Sequence, residues 1–171
     1  MKRIMIIGCG GAGKSYLARR LHVITSLPLL HLDQYFWKSG WVNVDTQTWR
    51  ASCDQLIAQD RWIIDGNYGS TMDARIQRAD TVIYLDRSTW ISLWRVIKRT
   101  FRYLGRSRPD MTEGCHERFD LEFTLYILTY NLRNRKKLRS KLSHFRHSKN
   151  IYILRNDKEV ESFIESVKEL S

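Results

Sequence analysis

Proline is almost missing from this chain. Only Pro28 and Pro109 occur in 171 residues, which excludes a proline-rich linker or polyproline segment. Cysteine is scarce as well. Cys9, Cys53 and Cys115 are odd in number, lie far apart and form no C-x-x-C pair, so neither a disulfide framework nor a zinc site is supported. They read as free thiols in a reducing compartment; adjacent Cys115 and His116 do not have ligand spacing. No apolar run approaches the ~20 residues that a membrane helix needs. The opening run Ile4–Ile7 stops at a glycine cluster, far short of a signal-peptide core. The expectation is a cytoplasmic protein with no membrane partner.

Acid is also absent, but only locally. Residues 87–109 hold seven Arg and Lys and no Asp or Glu, and residues 133–149 hold eight more beside His144 and His147. The whole chain carries +11, so these two stretches, at fifteen positive charges, leave −4 for the rest. A field concentrated in this way attracts phosphate, whether on a nucleotide, a small substrate or nucleic acid.

What is present fits one globular domain: 43% hydrophobic and 27% charged residues, without repeats or low-complexity linkers. Short apolar runs at Lys2–Gly8, Leu29–Leu32, Arg61–Ile64, Thr81–Leu85 and Ile151–Leu154 read as strands. Between and after them, helices are expected from Lys14 to about Ser26, from Asp45-Thr46 to about Gln59, and from Ser88 to about Tyr103. Two more follow, one from about Phe119 and one over Asp157–Leu170. This alternation predicts an α/β fold spanning residues 1–171, a five-stranded parallel sheet between two helical layers. Ligands of such a sheet gather at the carboxyl ends of its strands, where Gly8, Asp33, Asp65 and Asp86 all fall.

The strongest local signal is Gly8-Cys9-Gly10-Gly11-Ala12-Gly13-Lys14-Ser15. It matches G-x-x-x-x-G-K-[ST] and stands between a strand and a helix, the context that a phosphate-binding P-loop requires. Glycines allow the backbone angles that turn successive N–H groups inward onto phosphate oxygens, and the helix N-terminus adds its dipole. Lys14 is placed to reach the β- and γ-phosphates and Ser15 to ligate Mg2+. ATP and Mg2+ are therefore the expected cofactors. Trp62-Ile63-Ile64-Asp65-Gly66 delivers an acid from an apolar strand beside the loop, which favours a metal role for Asp65.

The order of these parts resembles the adenylate-kinase and shikimate-kinase branch of P-loop kinases: P-loop, strand-end Asp33, Asp65-Gly66-Asn67-Tyr68, then an arginine-rich insertion. The resemblance implies a P-loop NTPase sandwich of the nucleoside-monophosphate-kinase type, carrying a LID insertion near residues 99–120. More closely, the chain resembles the bacterial DNA topology modulation protein (FlaR-related) family. The matching stretches are IMIIGCGGAGKS, HLDQYFWKSGW, WIIDGNYGSTMD, LWRVIKR, RSRPDMTEGC and YILRNDKEV.

That likeness implies roles for single residues. Asp33 would bind the acceptor hydroxyl and take its proton, with residues 33–60 forming a substrate-side flap and helix. Around it the aromatic stretch Tyr35–Trp41 reads either as a mobile flap that stacks on a ring or as core packing. Arg106 and Arg108 would be the LID pair that neutralises charge on the transferring phosphoryl group, Arg99 a stacking partner for adenine, and Asn156 part of the adenine loop. Five arginines between 95 and 108 with no nearby acid favour an anionic ligand. Two positions depart from the pattern. Tyr16 stands where a second Ser or Thr usually helps hold the α-phosphate. Asn67-Tyr68 replaces the Phe-Pro-Arg of adenylate kinases, removing the arginine that grips a monophosphate acceptor.

The expected partners are ATP and a small anionic or hydroxyl-bearing acceptor. Residues 133–149 could form a nucleic-acid patch, but Leu132, Leu138 and Leu142 thread through them, which favours the solvated side of a core-packed helix.

Overall fold

The computed structural model describes residues 1–169. Its central sheet contains β1 (Arg3–Gly8), β2 (Leu29–His31), β5 (Trp62–Asp65), β6 (Thr81–Leu85) and β7 (Asn150–Leu154), in the order β2-β5-β1-β6-β7, every pair parallel. Successive strand residues point to opposite faces, and Ile4 to Ile7 are all 0% exposed, so helices must cover the sheet on both sides. Those helices are α1 (Lys14–Thr25), α3 (Thr46–Ala58), α4 (Met72–Arg78), α5 (Thr89–Tyr103), α6 (Leu121–Ser143) and α7 (Asp157–Glu169). Leu170, expected to end α7, lies outside the described residues.

Each long helix starts where the local chemistry allows it. The Asp45 side chain accepts from the Thr48 N–H (2.9 Å) and caps α3; Asp120 does the same for α6 through Phe123 N–H (2.9 Å). At α7, Asn156 Oδ1 accepts from Glu159 N–H (2.9 Å), while Glu159 accepts from the Asn156 amide (2.7 Å) and the Arg155 N–H (2.8 Å). That reciprocal cap explains why Asn156 does not line the cleft where the adenine role would place it. Ser88 stands at the N-terminus of α5, but its side chain makes no capping bond.

Two segments hold elements that were not expected. Residues 32–43 fold as a short helix α2 (Leu32–Phe36) and a two-stranded hairpin of β3 (Trp37–Lys38) and β4 (Val42–Asn43) around a turn at Ser39–Trp41. After Gly66, a 3-10 turn (Gly69–Thr71) leads into α4, whose Met72 and Ile76 are buried one turn apart.

The two acid-free stretches find their counter-charges elsewhere in the chain. Buried Asp86 accepts from Arg135 (2.8 Å) and Arg139 on α6. Lys141 pairs with Asp73 (2.5 Å), and the Lys149 ammonium donates to the Gln77 and Ala79 carbonyls (2.8 and 2.7 Å). Half of the basic residues 133–149 therefore tie α6 and its exit to the sheet and α4. The outer side of α5 and α6 also leaves Trp90, Trp94, Phe101, Leu121, Leu125 and Leu132 exposed. No helix among the described residues is long and apolar enough to cross a membrane.

Candidate active site

The carboxyl ends of β1, β2 and β5 open into a cleft of about 1340 Å³. Register puts Ile6 of β1 beside Asp65 of β5, and His31 of β2 beside the same Asp65. The P-loop and Asp65 are thus neighbours by strand pairing alone. Gly8 N–H donates to Asn67 Oδ1 (3.0 Å), which pins the loop to the segment following β5.

The loop's glycines are demanded by close approach as well as by angle. Gly11 has φ 76°, and a Cβ there would lie 2.2 Å from the Ser92 carbonyl oxygen of α5. Gly10 faces α6, where a Cβ would meet the Phe123 ring at 2.5 Å. The Lys14 ammonium folds back and donates to the Gly8 and Cys9 carbonyls (2.9 Å each). Burial pulls its pKa below the ordinary lysine range, against the charges of Asp33 and Asp65. A half-buried cation whose hydrogen bonds among the described residues go only to carbonyls, inside a glycine cradle at a helix N-terminus, fits a polyphosphate. Beside it are the Ser15 hydroxyl and the Asp65 carboxylate, an oxygen donor set suited to Mg2+.

Asp65 is 4% exposed and accepts from His31 Nδ1 at 2.6 Å. Burial disfavours the imidazolium, but the hydrogen bond and charge of Asp65 prevail and hold the His31 pKa above its ordinary value. Asp33 follows in the first turn of α2. Burial raises its pKa above the carboxylate range, only partly opposed by Tyr68, whose hydroxyl donates to Asp33 Oδ1 at 2.5 Å. The Trp37 indole N–H faces that same hydroxyl. Because an indole can only donate, this arrangement commits the phenolic proton to Asp33, a residue that lines the cleft.

The loop that presents Tyr68 is held from behind by Arg75, 0% exposed. Its guanidinium donates to the carbonyls of Gly66 (2.9 Å), Asn67 (3.0 Å) and Tyr68 (2.8 Å), and to Thr71 Oγ1 (3.3 Å).

The insertion after α5 carries acids as well as arginines. Glu117, 4% exposed, contacts Arg99 (2.9 Å) and Arg108 (2.8 Å), and Asp110 contacts Arg108 (3.3 Å). Farther along, Asp157 pairs with Arg87 (2.6 Å) and Arg95 (2.8 Å). The expectation that the five arginines between 95 and 108 lack acid partners is therefore corrected for Arg95, Arg99 and Arg108, whose carboxylates come from positions 157, 117 and 110. Arg99 and Arg108 do line the cleft, as do Arg102 and Arg118, whereas Arg106 is exposed outside it. Burial raises the Asp110 pKa, but the Arg108 charge and the facing Ser15 hydroxyl outweigh that and hold it below the ordinary range.

The hairpin and the insertion are laced together. Gln34 donates to the Pro109 carbonyl (3.0 Å), Thr112 to the carbonyls of Gln34 (3.1 Å) and Trp37 (2.6 Å), Gly40 N–H to Gly114 (3.1 Å), and the Trp41 indole to His116 (2.8 Å). Tyr16 points outward, 46% exposed, accepting from Arg20 (2.5 Å) and donating to Glu161 (3.2 Å) of α7.

Sequence reasoning assigned no role to His31, Tyr68, Arg75, Asp110 or Glu117. The stretches HLDQYFWKSGW and WIIDGNYGSTMD hold two of them, but only the strand register and the folding back of the insertion reveal their partners.

No protein-family model and no curated protein sequence matches the chain, so the topology-modulation resemblance is carried by its residue stretches alone. Solved structures do match. A shikimate kinase from Acinetobacter baumannii superposes with TM-score 0.56 at 18% identity, over 99% of this chain and 92% of its own. A gluconokinase from Sinorhizobium meliloti 1021 gives 0.57 at 14% identity, over 99% and 94%. A sugar kinase from Janibacter sp. HTCC2649 gives 0.53 at 13%, over 99% and 91%. At these identities the likeness speaks for the fold alone: the chain has the α/β architecture of P-loop kinases, a five-stranded parallel sheet with a LID-like helical insertion.

Proposed function

We propose that the protein is a phosphotransferase that moves the γ-phosphoryl group of Mg-ATP to a hydroxyl of a small acceptor. The observation that carries this reading is the convergence on one cleft of a P-loop cradle, a half-buried Lys14, and two strand-end carboxylates, Asp65 and Asp33. Bound Mg-ATP would supply the transferable group and the divalent charge. The loop amides and Lys14 hold the phosphates; Ser15 and Asp65 hold the metal, Asp65 being oriented by His31. Asp33 hydrogen-bonds the acceptor hydroxyl through Oδ2 and takes its proton as the new P–O bond forms and ADP departs. A carboxylate whose pKa is raised by burial is a better base than an ordinary one. Arg99 and Arg108, positioned by Glu117, offset charge that develops on the phosphoryl oxygens.

The basic stretch does not favour the nucleic-acid alternative, since Arg135, Arg139, Lys141 and Lys149 already have partners within the chain. The test is ADP release, with Mg-ATP, in the presence of neutral alcohols, sugars, nucleosides and nucleoside monophosphates. Acceptor-dependent release, lost in Lys14→Ala together with ATP binding, supports the reading. Release that no acceptor accelerates, or unchanged ATP affinity in Lys14→Ala, refutes it.

A further inference from the structure

The acceptor end of the cleft has a charge pattern of its own. Three carboxylates border it, Asp33, Asp65 and Asp110. Of its cations, Arg108 is matched by Glu117 (2.8 Å) and Asp110 (3.3 Å). Arg75 is buried behind the loop with its donors engaged by three carbonyls and a hydroxyl. Arg19 lines the cleft without a carboxylate partner, but it is exposed on α1, where solvent screens it. The other cleft cations without a carboxylate partner among the described residues are Lys14, whose ammonium is held by the Gly8 and Cys9 carbonyls, and Lys98, Arg102 and Arg118 on α5 and after the insertion. An anionic group beside Asp33 would thus face these carboxylates, with the guanidiniums of Arg108 and Arg75 already engaged.

What this end does offer is ring surface. Trp37 and Trp41 meet edge to face at 5.5 Å, and Tyr68 is packed on Phe36 (4.6 Å) and Trp49 (4.7 Å). The polar handles nearby are already committed. The Trp41 indole donates to His116, and Asn67 serves Gly8 and Tyr130. Rigid aromatic faces beside a carboxylate recognise a flat or cyclic body bearing a hydroxyl.

Resting on the phosphotransferase reading above, we infer that the acceptor is an uncharged, ring-bearing alcohol, and that the site discriminates against alcohols carrying phosphate or carboxylate. The chemistry is that already described: a neutral hydroxyl oxygen forms the new P–O bond, its proton passes to Asp33, and ADP leaves.

The test fills the P-loop of the full-length protein with a non-hydrolysable Mg-ATP analogue. Calorimetry then measures binding of nucleosides against their 5′-monophosphates, and of inositol and glucose against gluconate and shikimate. The expected result is that one or more neutral members bind at least ~100-fold more tightly than their charged counterparts. Trp37→Leu should weaken that binding ~10-fold while analogue affinity stays unchanged. Glu117→Gln, which leaves Arg108 only the Asp110 carboxylate, should narrow the gap between neutral and charged members. Equal or tighter binding of the phosphorylated or carboxylated members overturns the inference, and so does binding of neither class. Neutral preference without any transfer from ATP itself would refute the phosphotransferase reading and leave standing only the site's selectivity for neutral, ring-bearing alcohols.

Discussion

Replacing Arg75 tests whether a buried cation with no carboxylate partner holds the acceptor loop in place. Arg75→Met removes four hydrogen bonds, three of them to loop carbonyls, of which those of Gly66 and Asn67 have no other donor in the described residues. Each unsatisfied buried acceptor costs about 1–3 kcal/mol. Part of that returns, because the guanidinium is itself costly to desolvate: burial lowers its pKa to about 10. The net expectation is a loss of about 2–4 kcal/mol, read as a shift in urea midpoint at unchanged m-value. Arg75→Lys should do no better than Met, since an ammonium keeps the buried charge but cannot span donors on three carbonyls and Thr71. A change under about 0.5 kcal/mol in the Met variant, or full rescue by Lys, would refute the argument that the planar fork supports the loop.

Tyr68→Phe removes the hydroxyl that stabilises ionised Asp33, so the acid limb of the turnover–pH profile should move to higher pH, with ATP affinity unchanged; an unmoved limb contradicts the bond. The Asp33 pKa is raised on folding above 3.8, so its ionisation costs stability as pH climbs through the folded pKa. Asp33→Asn should therefore stabilise the fold at pH 7, and the gain should vanish below about pH 4; thermal unfolding at both pH values decides this. Asp86→Ala leaves Arg135 and Arg139 unpaired at the end of β6. Because both arginines reach solvent, the loss should be about 2–3 kcal/mol by chemical denaturation rather than the full cost of a buried pair. Tyr16→Thr should tighten ATP binding, since the α1–α7 contact it removes is exposed and worth under about 1 kcal/mol; weaker binding by calorimetry would contradict this.

How far the sequence could be read depended on the range of the forces. The sheet was legible because Ile4–Ile7, Ile63–Ile64 and Val82–Leu85 are continuous apolar runs, and only a strand buried on both faces needs them. The P-loop was legible because its glycines, Lys14 and Ser15 are adjacent in the chain. Helix α4 was missed: seven residues after a Gly-Ser-Thr turn offer little more than Met72 and Ile76 as a periodic signal. The hairpin of residues 37–43 was read as either a mobile flap or core packing, because its order comes from hydrogen bonds to an insertion some 75 positions away. The same distance hid the electrostatics. Arg99 and Arg108 look unpaired in a window without acids, yet folding delivers Glu117 to both. Asn156 fitted an adenine loop by its place after the last strand, but its immediate neighbour in a helix cap, Glu159, captures it.

The central claim is that Asp33 takes the proton of an acceptor hydroxyl while Lys14 and the P-loop hold ATP. With an acceptor found by the ADP-release screen, the decisive measurement is turnover and ATP affinity for Asp33→Asn beside the wild type. General-base contributions run about 10²- to 10⁴-fold, so turnover should fall within that range while ATP affinity changes less than about 2-fold. Wild-type turnover in the Asn variant would contradict the account.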